Sequence, residues 1–539
     1  MKMKDFSIVA LTLVGAIITS CSKDNKIIDI QQPQQDNVVT LTSNININSG
    51  TRALNDDGTN CTKTFAAGDQ VAVVYKNTSN ETVKALSNAL TAGDISNAGK
   101  TATITVTLTN PADNGNLQLI YPAAMAKATI ATDATVDDAG TVNFDALASQ
   151  NGTLASLASN LDLCTFTGAL NGTDLPNTAS LTNKLAICKF TINDNASNDI
   201  TSSVTKFVIT DGTGIYTVTP SSLSSIYVAI PPVASEKTIT LTATKGSEYF
   251  TKSVTGKALA ASNLYPITVG MNKAYAFSVG VSKKVLIAPG NLQATTTDNG
   301  TTWTWAFAAN QWDFIGNAAA NTSINGDGTV SANGTVDLFG WVGATGGDAY
   351  GISNRQGNVD YYGKETGESL KSDWGNTIGS GWRTPTIDEW YCLIETRESG
   401  ATVNGTSNAR RVYATINTDA TEVNGMILFP DGVTISTSEA TSWGSINGAG
   451  LFTEATKCTS AQWNALAAKG CVFLPAAGLR EGITVGDYRL NKEAYYWSAT
   501  PSASYSYRAQ NLKFASGSLA SSNWLDRYYG ASVRLVRDL

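Results

Sequence analysis

Through the first half of the chain, apolar and polar residues alternate at the period of a β-strand. Ala102, Ile104, Val106 and Leu108 are separated by Thr103, Thr105 and Thr107, which gives one dry face and one polar face. Leu117, Leu119 and Tyr121 repeat the pattern until Pro122 stops it. Val39, Leu41, Ile45 and Ile47 share one parity, broken by Ser43, and predict a strand over 38–47. Further strands are expected around Ile226 to Ile230, Ile239 to Ala243 and Leu264 to Val269. A Gly-, Asn- and Pro-containing loop at 167–178 suggests a division into two β-sandwich halves.

From about Lys273 the texture changes. All eleven tryptophans lie from Trp303 onward, mixed with glycine turns, which implies a compact, loop-rich fold pinned by large side chains. Two short helices are predicted there. Thr386 and Glu389 have capping-box spacing before Trp390, Leu393 and Ile394 on one face. Thr459 and Gln462 repeat the device before Trp463 and Leu466, with Gly470 near the C-cap. Trp382, Arg383 and Trp390 are assigned to support of this fold.

The stretch 496–538 has a different pattern. Its ends, Tyr496-Trp497-Ser498 and the apolar Val533, Leu535 and Val536, suit buried strands. Between them Tyr505, Tyr507, Trp524, Tyr528 and Tyr529 stand among small polar residues, with Arg508 and Asp526. Large aromatics in a Ser-, Asn- and Ala-rich setting give wide contact area at low side-chain entropy cost, as antibody loops do. These seven residues are the candidate ligand-binding face. The ligand class stays open between glycan and protein, because aromatic platforms suit both.

Composition narrows the chemistry. A length of 539 residues carries a prior of about three or four domains. Charged residues are 15% and apolar residues 42%, a profile of all-β extracellular modules. With a net charge of −7 and no basic run, nucleic acid is not an expected partner. Histidine is absent, which removes Ser-His-Asp and Cys-His catalysis and His-based zinc sites. An enzyme is therefore not expected, nor a cofactor; calcium stays open, since Asp337 and Asp431 form no ordered ligand series. The seven cysteines contain no C-x-x-C pair, so they read equally as buried thiols or as disulfides.

At the N-terminus, Lys2 and Lys4 precede an apolar run from Phe6 to Ile18 that is too short to span a bilayer. It ends Ile18-Thr19-Ser20-Cys21, which resembles a bacterial lipobox. The resemblance implies lipidation of Cys21, tying the precursor to a membrane. The next residues, Ser22-Lys23, lack the aspartate that retains some lipoproteins at the inner membrane, so the outer membrane or cell surface is the expected destination.

The lipobox, the strand at 38–47, the loop Thr51-Arg52-Ala53 and the phrase Phe65-Ala66-Ala67-Gly68-Asp69-Gln70-Val71-Ala72-Val73 together resemble the fimbrillin family of pilus subunits. That resemblance implies cleavage after Arg52, a mature chain starting at Ala53, and loss of the first strand. The vacated groove would take a strand from another pilus subunit, donor-strand exchange, because an unpaired sheet edge is satisfied by a neighbour's backbone.

The phrases Pro289-Gly290-Asn291-Leu292-Gln293, Asp337-Leu338-Phe339-Gly340-Trp341, Gly381-Trp382-Arg383-Thr384-Pro385 and Tyr496-Trp497-Ser498-Ala499-Thr500 resemble the "major paralogous" domains of secreted bacterial proteins. Those share a C-type-lectin-like fold with formylglycine-generating enzymes and with retroelement variable proteins. Formylglycine chemistry itself needs a close cysteine pair, and Cys392, Cys458 and Cys471 show no such spacing.

The expected architecture is mainly β: two fimbrillin-like β-sandwich halves followed by an α+β C-type-lectin-like domain. The expected divisions are a lipoprotein signal at 1–21, a removable linker and strand at 22–52, β domains at 53–170 and 171–272, and the lectin-like domain at 273–539. The expected function is a surface-displayed pilus tip subunit or adhesin. The alternative is a surface lipoprotein that never polymerises, binding glycan or protein, with a C-terminal face diversified by a retroelement.

Overall fold

The computed structural model describes residues 36–47 and 64–539, except 380, 419, 437, 441–442 and 488 and the side chains of 319–320, plus the pairing of Asn55–Asp56 with Cys61–Thr62. Cys21, Arg52 and Ala53 lie outside the described residues. The fold is mainly β.

An eight-stranded sheet runs Thr82–Leu86, Ala72–Lys76, Asn116–Tyr121, Cys164–Ala169, Thr178–Asn183, Val38–Ile47, Thr101–Thr109, Ile95–Ser96. The strand Val38–Ile47 forms where periodicity expects it, and it is internal to the sheet. It runs antiparallel to Thr101–Thr109 from Val38↔Thr109 to Asn46↔Thr101. On its other side it runs parallel to Thr178–Asn183, from Asn44↔Thr178 to Ile47↔Leu181. Ile45 and Ile47 are buried with Ile104, Val106, Leu108, Leu117 and Leu181. Ser43 breaks the apolar parity for a physical reason: it is buried, and its hydroxyl donates to the Pro176 carbonyl at 2.6 Å.

The loop at 167–178 does not divide two halves, since Cys164–Ala169 and Thr178–Asn183 are paired neighbours in the same sheet. Between Tyr121 and Cys164 the chain visits a second sheet at Ser149–Gln150 and returns, and after Asn183 it leaves the first sheet, entering Ala186–Asn193. This strand lies between Ile226–Ile230 and, in parallel, Leu264–Gly270. It faces that second sheet, ordered Asn272–Ala274, Glu248–Thr255, Thr238–Lys245, Lys206–Thr210, Ile215–Val218, Ser149–Gln150. The core between them includes Phe190, Phe207, Ile209, Val228 and Leu241, together with Leu147, Leu157 and Leu161 from before residue 170. A cut at 272/273 falls inside the strand Asn272–Ala274, which is hydrogen-bonded to Glu248–Thr255.

From Phe277 onward sheets are short and loops long. The first strands of this region, Phe277–Gly280 and Lys283–Ile287, meet the last, Val536–Asp538, which also pairs with Trp382–Arg383. Both capping boxes form, at Thr386/Glu389 for Ile387–Tyr391 and at Thr459/Gln462 for Ser460–Ala468. Gly470 follows the second helix at φ +82°, a left-handed position suited to glycine.

Loops here are held by buried donors rather than ladders. The indole N–H groups of Trp341, Trp374, Trp390 and Trp497 donate to the carbonyls of Ser498, Tyr350, Trp497 and Phe339. Arg480 donates to the carbonyls of Leu338, Ser353 and Gly482. Arg534 reaches those of Ala288, Gln311 and Phe473. Arg397 pairs with Asp431 at 2.9 Å and donates to two carbonyls. Arg383 grips Glu389 through two bonds of 2.7 Å and also binds Asp538, with Lys283 on Glu389 at 2.6 Å. Burial pushes the Glu389 carboxyl up, but these cationic donors outweigh it and bring it down to about 2. Trp390 is a core residue as expected. Trp382 is only half-buried, packed against the core beside Phe307 at the edge of a cleft.

Candidate binding face

The C-terminal tail folds as a three-stranded antiparallel sheet, Glu493–Pro501, Arg508–Ala515 and Ser518–Asp526. Its inner face carries Tyr496, Trp497, Ala509, Leu512, Phe514 and Leu525 into the core. Because side chains alternate, the opposite face receives Arg508, Gln510, Ser522, Trp524 and Asp526. Arg508 stands directly across from Asp526, and Gln510 across from Trp524.

The Arg508 Nε donates to Asp526 Oδ1 at 2.8 Å, and its guanidinium lies over the rings of Tyr505 at 5.3 Å and Tyr507 at 5.1 Å. The two tyrosine rings are 5.7 Å apart. The hydrogen bond to Asp526 raises the Arg508 pKa, so the group stays cationic. A pair this exposed adds little stability, about 0–1 kcal/mol, and its main effect is to orient the rings. The loop is fixed from below: the buried Ser502 hydroxyl accepts the backbone N–H groups of Ser504 and Tyr505, and Arg508 N–H donates to the Tyr505 carbonyl. Tyr505 and Trp524 nevertheless expose 48% and 41% of their surface.

Tyr528 and Tyr529 form a second group. Their rings are 4.5 Å apart, and the Tyr529 hydroxyl donates to Glu481 Oε1 at 3.3 Å. Burial, then the hydrogen bond with Tyr528, raises the Tyr529 pKa. Between the groups Arg527 turns inward, pairing with Glu368 at 2.6 Å and stacking on Trp341 at 4.7 Å. The seven candidates thus fall into a cluster of Tyr505, Tyr507, Arg508, Trp524 and Asp526, and a separate tyrosine pair.

Sequence reasoning missed Gln510 and Ser522, although period-2 counting from Arg508 and Trp524 reaches both. It also missed Glu481 and Gln356, whose side chains bond at 2.9 Å beside Tyr529. No local pattern ties those two to the tail. The acidic residues Asp337 and Asp431 are committed internally, to Ile315 N–H and Asn321 and to Arg397 respectively.

No protein-family model matches this chain, and no curated protein is similar to it. Among solved structures, it is similar to a fimbrial assembly protein from Parabacteroides distasonis at 13% identity, covering 46% of this chain and 95% of that one, with a TM-score of 0.27. It is also similar to a fimbrial protein from Bacteroides ovatus at 11% identity, covering 92% of this chain and 99% of that one, with a TM-score of 0.22.

Proposed function

We propose that this chain is a fimbrial subunit or adhesin of the cell surface, whose N-terminal body exchanges its first strand for that of another subunit and whose C-terminal region binds a ligand. The observation that carries the reading is the place of Val38–Ile47. It is joined to the eight-stranded sheet by backbone bonds on both sides, yet it precedes the rest of that sheet in sequence. Cleavage after Arg52 would free it as a separate peptide. Its departure would open a groove between Thr101–Thr109 and Thr178–Asn183, lined with unpaired backbone groups. Burying Ile45 and Ile47 alone is worth about 3–6 kcal/mol, so an empty groove has a strong drive to take an apolar-alternating strand.

The C-terminal region, of lectin-like type in this reading, presents the Tyr505–Arg508–Trp524 face to a glycan or protein. A ligand-binding region joined to a strand-accepting body suits an adhesive subunit. The lipid on Cys21 would hold the precursor at the outer membrane until cleavage.

The test is assembly of the Arg52→Ala protein in the cells that make it. The proposal expects uncleaved, lipidated precursor and no incorporation into filaments. Normal incorporation of the uncleaved protein would overturn it.

A further inference from the structure

A second cleft lies away from the tail face, where the body meets the C-terminal region. It encloses about 820 Å3, within the range of small-molecule sites, about 300–1,000 Å3. One wall is a set of hydroxyls on the body sheet, including Thr240, Thr251 and Ser253; the other carries Trp305, Phe307 and Trp382. Arg537 reaches into it from the last strand, directly across from Trp382 in register, with its guanidinium 5.0 Å from that ring. Phe307 meets the same indole edge-on at 5.2 Å.

The state of Arg537 distinguishes this cleft from ordinary seams. It is 7% exposed, and its Nη2 donates to the Thr251 hydroxyl at 2.8 Å. Its Nε is buried without a partner, but so are those of Arg397, Arg480 and Arg534, so that alone decides nothing. The contrast is in the other donors. Arg397 has Asp431 and two carbonyls, Arg480 three carbonyls, and Arg534 three more. Among the described residues, Arg537 has a single neutral hydroxyl. No Asp or Glu is among the described residues lining the cleft, whereas Lys252 is, along with Lys273, which is paired with Glu248 at 2.7 Å. Its neighbour Asp538 points to the opposite face of the strand and binds Arg383. Burial without a carboxylate pulls the Arg537 pKa down to about 10, which still leaves it cationic at neutral pH. A buried unpaired cation is costly unless an acceptor joins it.

From this geometry we infer that the cleft is a binding site for a carboxylate-bearing sugar, with Arg537 on the carboxylate and Trp382 and Phe307 against the ring. A guanidinium takes a carboxylate through paired N–H bonds. Aromatic faces suit the C–H surface of a pyranose, and the wall hydroxyls, already bonded to one another and to the Leu241 carbonyl, keep spare acceptor lone pairs for its hydroxyls. A bare anion would leave the aromatic wall unused, and a neutral sugar would leave the guanidinium unpaired.

The test is calorimetry on the full chain with short oligosaccharides ending in glucuronate, galacturonate or N-acetylneuraminate, each against its own methyl ester. At least one acid is expected to bind, and its ester at least tenfold more weakly. Arg537→Gln should abolish that difference, and Trp524→Ala, on the tail face, should leave it intact. Thr251→Val, which removes the hydroxyl that accepts from Arg537 and donates to the Leu241 carbonyl, should reduce the preference severalfold and serves if Arg537→Gln fails to fold. Three results would overturn the inference: no binding of any acid, acid and ester binding alike, or a preference that survives both substitutions. Tighter binding of an acetylated tripeptide with a free C-terminus than of any sugar would also overturn it, since the pocket would then be reading peptide carboxylates.

Discussion

The two ends of this molecule solve the same problem in different ways. In the body, backbone polar groups are paired along long ladders, and strands such as Thr101–Thr109 show strict alternation of buried and exposed residues. In the C-terminal region, strands are short and many backbone carbonyls sit in buried loops, where a lost partner costs about 1–3 kcal/mol each. Side chains fill the gap there: four indoles and three guanidiniums donate to carbonyls distant in sequence. The body is held by a repeating pattern, and the proposed exchange would replace one strand of that period with another. The C-terminal region is held by individual residues and has no such replaceable unit.

That contrast breaks first at the buried guanidiniums. Arg534→Met should destabilise the C-terminal region by about 4 kcal/mol or more, because three carbonyls lose their donor. Urea unfolding should show this as an early, separate transition with the body unaffected. A cost below about 1 kcal/mol would mean that water replaces the side chain and that the region is not pinned as described. In the body, Leu108→Ala should cost about 2–5 kcal/mol through a cavity in the sheet core, without separating the transitions.

The Arg383–Glu389 cluster gives the next effect, and it carries a sign. The Glu389 carboxyl is held below its unfolded value, so its contribution is present above about pH 4.5 and is lost as pH falls toward 2. Glu389→Gln should therefore cost about 2 kcal/mol at pH 7, and the gap to the unaltered protein should narrow through that acid window. A gap independent of pH would assign the effect to the helix cap instead.

The smallest stability effects belong to the tail face. Trp524→Ala and Tyr505→Ala should change stability by less than about 0.5 kcal/mol, since both rings are largely outside the core. The same changes should weaken binding of the natural ligand tenfold or more, measured by cell or glycan-array attachment. Attachment unchanged by both substitutions would remove the function from this face.

These regions were unequally legible in the sequence for the same physical reason. Period-2 alternation gave Val38–Ile47 and Thr101–Thr109, and capping-box spacing gave the starts of Ile387–Tyr391 and Ser460–Ala468, because those signals are local. The loop at 167–178 misled, because turn composition says where a strand ends and not which sheet the next strand joins. The Lys273 boundary misled likewise, as a change in aromatic content begins after the body's last strand has already started. On the tail, aromatic composition found the exposed rings. It could not separate Tyr528–Tyr529 from Arg508, since that depends on Arg527 turning inward toward Glu368, 159 residues away. Arg537 showed no signal, because its significance is the missing carboxylate.

The central claim is that the first strand is exchangeable, and one measurement addresses it directly. The purified protein is cleaved after Arg52, the strand is displaced in mild denaturant, and the remainder is mixed with a synthetic VVTLTSNINI peptide, residues 38–47. The account predicts a lowered melting temperature for the stripped protein, recovery on binding one equivalent of peptide, and no recovery with a peptide whose apolar residues are shifted by one position. A stripped protein that melts where the intact one does, or that recovers equally with the shifted peptide, would contradict it.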